Sequence, residues 1–167
     1  RSSRSGCATR IGGGTVAGWL EREIKLLLPD AAAYERVAGA LGPVSERLQI
    51  NHFFDVPGDA LRRERIGVRL RSEAGERWLT LKGASSPGAA SALVERVELE
   101  VPIEAGAFEA ALASGLDLSG WRARLERAAG SEATPTPPAV AALLERVSAL
   151  CAGRRLARQA GFENRRK

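Results

Sequence analysis

Methionine is missing from this 167-residue chain, histidine and tyrosine occur once each, and there are only two cysteines. Without a methionine the chain does not begin at its own start codon, and it stops in the charged stretch GFENRRK, so it reads as a fragment. Cys7 and Cys151 are too few and too far apart for a disulfide framework or a metal pair. They read as free thiols in a reducing compartment, which points to the cytoplasm. No apolar run approaches the roughly 20 residues of a membrane-spanning helix. The first 20 residues hold Arg1, Arg4 and Arg10 but no acid. Residues 1–19 therefore read as a disordered leader or the remnant of a transit peptide to a plastid or mitochondrion, and residues 20–167 as the folded domain.

What is present is ordinary for a globular domain: 44% hydrophobic and 27% charged residues, with a formal charge of +5. That length buries a substantial core, and the positive balance favours an anionic partner without selecting one. The patterning predicts a strand in LEREIKLLL and a helix over AAAYERVAGALG, with Asp30 as its cap. A second strand follows in SERLQINHFFDV, then a hairpin of RIGVRLRSE and ERWLTLKGA around Ala74-Gly75. ASSPGAASA reads as a loop and LVERVELEVPI as another strand. EAGAFEAALASG and WRARLERAAG read as helices, SEATPTPP as a linker, and AVAALLERVSALCAG as an amphipathic helix with Pro138 in its first turn. RRLARQAGFENRRK starts a last strand. Strands and helices in this order define an α+β protein built on an antiparallel sheet.

Alternation along the strands collects the charges on one face. Glu21, Glu23 and Lys25 oppose Arg22, Ile24 and Leu26. Arg69 and Arg71 oppose Val68 and Leu70, Thr80 and Lys82 oppose Leu79 and Leu81, and Arg96, Glu98 and Glu100 oppose Val97, Leu99 and Val101. A solvated outer face accounts for any one strand. Taken together, however, the like-charged pairs stand about 6.6 Å apart by strand rise, where at an effective dielectric near 20 they repel by about 2.5 kcal/mol. Carboxylate pairs suit a hard divalent cation, and clustered Arg and Lys suit phosphate oxygens. The two together describe a site for a metal bound to a polyphosphate, and the chemistry of phosphoryl transfer to water.

Glu21-x-Glu23-x-Lys25, NHFFD, VRLR with Arg69 and Arg71, TLK with Lys82, and RVELE with Arg96, Glu98 and Glu100 follow one another in an order similar to that of the CYTH superfamily. Its members are also called triphosphate tunnel metalloenzymes, and the short plant and algal type is the nearest in character. The resemblance extends over Leu20 to Lys167, with GFENRRK matching a strand that carries a further basic residue, Arg166, beside Arg165. It implies an antiparallel eight-stranded β-barrel tunnel with flanking helices that binds a triphosphate with Mg²⁺ or Mn²⁺.

By that resemblance Glu21, Glu23 and Lys25 are catalytic. Lys25, Arg69, Arg71, Lys82 and Arg166 hold the phosphates, and Glu21, Glu23, Glu98 and Glu100 hold metal. The implied activity is hydrolysis of a phosphoanhydride bond in a small triphosphate, inorganic tripolyphosphate first, with thiamine triphosphatase or adenylate cyclase activity and a non-catalytic binding module as alternatives. The family's two later acidic strands, an Asp-Glu pair and a Glu-x-Glu, are expected beyond Lys167, which would leave the tunnel incomplete here.

His52 shares a face with Phe54 and reads as structural, and Asp55 as the cap of the Pro57-Gly58 turn. Trp78 and Trp121 read as packing residues. Arg62, Arg63 and Arg65 read as a solvated loop, and nothing marks a nucleic-acid surface. Gly12 to Gly14 follow no strand and make no phosphate loop.

Overall fold

A computed structural model of the chain describes residues 20–24, 28–40, 46–85, 93–129 and 136–166. The expected leader, Lys25, the Gly42-Pro43 helix stop, most of the ASSPGAASA loop and most of the SEATPTPP linker lie outside the described residues. Six strands form one antiparallel sheet: β1 (Leu20–Ile24), β2 (Arg47–Asp55), β3 (Gly67–Glu73), β4 (Glu76–Lys82), β5 (Leu93–Pro102) and β6 (Ala157–Arg166). Their order is β1-β5-β4-β3-β2-β6, so β1 and β6 stand at the edges. The α+β class is as expected. The described sheet is open and six-stranded rather than a closed eight-stranded tunnel, because no described residues pair with the outer edges of β1 and β6.

Local chemistry explains the elements. β3 and β4 join through Ala74 and Gly75, both at positive φ (49° and 83°), the pair of left-handed residues that a tight hairpin requires. Helix α1 (Ala31–Ala40) starts where the Asp30 carboxylate accepts a 2.7 Å hydrogen bond from the Ala33 N–H, a side-chain cap on an otherwise orphaned donor. Helix α3 (Ala105–Ser114) ends at Gly115, φ 84°, where an added Cβ would lie 2.8 Å from the Leu156 carbonyl oxygen. Helix α4 (Arg122–Ala129) follows a single 3₁₀ turn at Ser119–Trp121. Helix α5 (Pro138–Cys151) has Pro138 in its first turn, where the missing N–H costs nothing, and stops at Ala152 in the left-handed region.

One sheet face is apolar and covered. Leu70, Leu79, Leu81, Leu99 and Val101 join Phe108 of α3, Leu125 of α4, and Val140, Leu144 and Val147 of α5 in the core. The α5 residues recur at helical spacing, so a single stripe enters the core. His52 lies edge-on to Phe108, with ring centroids 6.0 Å apart. Burial, then the charge of Arg158, hold its pKa below the ordinary 6.5. That environment fits packing rather than proton transfer.

Asp55 does more than cap a turn. Its Oδ1 accepts from the Val56 N–H (2.7 Å) and the Leu61 N–H (3.0 Å), and its Oδ2 from the Arg62 N–H (3.0 Å). These bonds seat a short helix, α2 (Ala60–Arg63), so Arg62 and Arg63 are helical rather than loop residues. They remain exposed. Trp121 packs against the core, as expected of it, with the Arg124 guanidinium 4.3 Å above its ring. Among the described residues no helix is long and apolar enough to cross a membrane.

Candidate functional site

The second sheet face carries charge, and strand register lays it out in rows. Directly paired residues on antiparallel strands point to the same face. One row runs Phe162, Asn51, Arg71, Trp78 across β6, β2, β3 and β4. The next runs Ala160, Phe53, Arg69, Thr80, Glu100 from β6 to β5. Lys82 pairs with Glu98, and Glu21 with Arg96. Glu21, Arg69, Arg71, Lys82, Arg96, Glu98 and Glu100 therefore fall on one surface.

They are also dry. Arg71 is 4% exposed, Glu98 7% and Thr80 0%. A buried charge must be paired and hydrogen-bonded, and here the pairing is continuous. The Arg96 Nε donates to Glu21 Oε2 at 2.7 Å. Lys82 Nζ donates to Glu98 Oε2 at 2.8 Å and to Glu21 Oε2 at 3.4 Å. Arg69 Nη2 lies 4.0 Å from Glu98 Oε1 and 3.8 Å from Glu100 Oε1, and donates to Thr80 Oγ at 3.2 Å. The Thr80 hydroxyl in turn donates to Glu100 Oε1 at 3.0 Å. Arg71 Nε donates to the Asn51 side-chain oxygen at 3.2 Å, which fixes the guanidinium from the neighbouring strand.

Two carboxyl groups in this network are driven apart in acidity. Burial opposes ionisation of Glu21, but hydrogen bonds to Glu98 and Arg96 and the charges of Lys82 and Arg96 outweigh it and bring its pKa to about 2. Burial, and then the hydrogen bond to Glu21, push Glu98 above the ordinary carboxylate value against the pull of Lys82. The pair thus resembles two carboxylates around one shared proton.

Of the expected site residues, the structure brings together Glu21, Arg69, Lys82, Glu98 and Glu100 in one network and sets Arg71 in the adjoining row. Glu23 pairs with Val94 and Arg166 with Arg47 along the backbone ladders; their side chains, like Lys25, lie outside what is described. Arg96, Thr80 and Asn51 were absent from the expected site residues. Arg96 and Thr80 already showed themselves as alternating polar positions on their strands. Asn51 opens the NHFFD motif, but its role depends on register with Arg71, which no local pattern shows.

Among the described residues no three histidine, cysteine or carboxylate groups converge as a metal cage. What converges is the Glu21–Glu98 pair, with Glu100 linked to it through Arg69. A magnesium-type cation needs no more protein than that, since it is held by one or two carboxylates together with waters and substrate phosphates. The donor set fits such a cation.

Fold and surface together define an α+β protein that displays a buried ionic network from an antiparallel sheet. Residues 20–154 match the CYTH domain model, and the chain belongs to the CYTH family. Among solved structures it is similar to HpAC1 from Hippeastrum, described as an adenylyl cyclase candidate that reveals a dominant triphosphatase activity. The identity there is 23% and the TM-score 0.58, over 87% of this chain and 64% of that one. It is also similar to a protein from Bacillus halodurans described as an adenylate cyclase candidate, at 16% identity and a TM-score of 0.50, over 89% of this chain and 64% of that one. At these identities the likeness is one of fold, and the chain spans under two thirds of either protein's length. No curated protein matches it.

Proposed function

We propose that the protein hydrolyses a phosphoanhydride bond in a small triphosphate, inorganic tripolyphosphate foremost, with Mg²⁺ or Mn²⁺. The observation that carries this reading is the buried network in which Arg69 and Lys82 each bridge two carboxylates. A sheet face built for stability alone gains little from desolvated charge. Membership of the CYTH family, and the triphosphatase activity described for HpAC1, point the same way.

In this reading Arg69, Arg71 and Lys82, with Lys25 and Arg166, hold phosphate oxygens, and Glu21, Glu23, Glu98 and Glu100 provide the cation site. The cation when bound would neutralise charge on the phosphates and favour attack by water. The internal ion pairs serve as placeholders. Arg69 and Lys82, now held by carboxylates, would hold phosphate oxygens, and Glu21 and Glu98 would hold the cation. Little side-chain ordering then remains to be done when substrate arrives. The low pKa of Glu21 keeps it ionised at neutral pH, ready to orient water or hold the cation.

The test is phosphate release from tripolyphosphate by the full-length gene product with Mg²⁺ or Mn²⁺. Turnover is expected, with Glu21→Gln and Arg69→Ala each lowering kcat/KM by roughly 100-fold or more, the usual loss for one pre-organised electrostatic group. Tight binding of tripolyphosphate without turnover would show a binding module instead.

A further inference from the structure

Thr80 stands in the middle of the charged face and carries no charge itself. Strand β4 lies between β3 and β5, and register sets Thr80 directly opposite Arg69 on one side and Glu100 on the other. Its side chain is fully buried. A buried hydroxyl is unfavourable unless it is hydrogen-bonded, and this one is used in both directions. A guanidinium only donates, so the 3.2 Å contact with Arg69 Nη2 makes the Thr80 oxygen an acceptor. The single hydroxyl proton is then left for Glu100 Oε1, 3.0 Å away. Arg69 Nη2 and Glu100 Oε1 are themselves 3.8 Å apart, too far for a hydrogen bond between those two atoms. The threonine oxygen supplies the link.

The two groups it joins belong to different halves of the proposed site, Arg69 to the phosphate side and Glu100 to the metal side. Both are long side chains, and a long side chain that is not already anchored loses rotamer freedom when it takes up a ligand. A neutral anchor fixes direction and leaves each charge for its ligand. An acid in its place would compete with phosphate for Arg69, and a base would compete with the cation for Glu100. We infer that Thr80 is a positioning residue for both halves at once, its one hydroxyl aiming Arg69 at phosphate oxygens and Glu100 at the divalent cation.

This inference rests on the triphosphate reading, and its test keeps the two apart. On the full-length gene product, the dissociation constant for tripolyphosphate is measured by calorimetry in EDTA. That for Mn²⁺ is measured by electron paramagnetic resonance without phosphate. Thr80→Val keeps the shape and deletes the hydroxyl, and Thr80→Ser keeps the hydroxyl. Thr80→Val is expected to weaken both ligands by roughly tenfold or more, the usual loss when a group that orients a ligating side chain is removed. Thr80→Ser is expected to restore both. Val101→Ala, a loss of core packing beside Glu100 on β5, is expected to lower Tm and leave both constants alone. A Thr80→Val protein that binds both ligands like the wild type, or loses only one of them, overturns the double role. Failure of Thr80→Ser to restore binding, equal losses in Val101→Ala, or a Thr80→Val chain that does not fold makes the hydroxyl structural and also overturns it. A wild type that binds tripolyphosphate but not Mn²⁺ overturns the metal half and with it the inference, while sparing the phosphate site. A wild type that binds neither overturns the triphosphate reading itself.

Discussion

Leu99 and Glu98 are neighbours on β5 and both are shut off from water, at 0% and 7% exposure, yet they sit in opposite worlds. Leu99 joins Leu79 and Leu81 in the core, where burying each such side chain stabilises the fold by about 1.5–3 kcal/mol. Glu98 meets Lys82 and Arg69, and burial raises its pKa. Desolvating ions consumes most of what their attraction returns, so buried pairs often do no better than apolar residues of the same size. Equal dryness on the two faces therefore carries different meaning. The apolar face holds the protein together, and the ionic face is expected to add little to that.

The sharpest way to break this comparison is to change the two neighbours separately. Leu99→Ala is expected to destabilise by about 2–5 kcal/mol, the range for a buried leucine that leaves a cavity, read as a lower Tm or denaturant midpoint. Glu98→Gln is expected to leave Tm at pH 8 at or above that of the wild type. The sign follows from the raised pKa of Glu98 in the folded state. Its contribution to stability is full below the ordinary 4.5 and is lost as pH rises through the folded value, and glutamine mimics the protonated form. The advantage of Glu98→Gln should vanish in melts at pH 4. Glu21 works in the other direction. With its pKa depressed to about 2, its stabilising effect is present above 4.5 and disappears only as pH falls towards 2. A Glu98→Gln protein that melts as early as Leu99→Ala would show the ionic face to be structural.

Asp55 sharpens the comparison from within the set of buried carboxylates. Its two oxygens accept three backbone N–H groups and it stands apart from the ion network. Asp55→Ala is expected to cost about 2–3 kcal/mol, because it strands buried donors, while kcat/KM per folded molecule holds. The smallest effect belongs to Arg62→Ala. Its bridge to Asp59 is short at 2.8 Å, but the arginine is 81% exposed, and such a change moves stability by less than about 0.5 kcal/mol. A larger loss there would mean that exposed charge in this molecule does structural work after all.

Much of this was legible in the residues. Glu21, Arg69, Arg71, Lys82, Glu98 and Glu100 could each be assigned a face because side-chain direction alternates with a period of two, and that is a local steric property. The helices over 105–114 and 138–151 were equally clear from spacing, Pro138 and Gly115. Helix α2 was not, because the group that seats it, Asp55, lies five residues before it begins, outside any local window. The contact between Glu21 and Glu98 was hidden as well, since the two are brought together by the β1–β5 pairing and the turn of the sheet rather than by any motif.

By itself, then, the sequence determined which side chains share a face, where most of the strands and the longer helices lie, and through its ordered motifs the CYTH family. Only the tertiary structure decided which charges meet. Arg96 and Glu21 are 75 positions apart, and Lys82 and Glu21 are 61. Their contact depends on β5 lying between β1 and β4, an order settled by long-range packing of the apolar face. The same order brought Phe53 and Phe162 together across β2 and β6. Periodicity is written into each strand by its own backbone, whereas register between strands exists only once the core has formed.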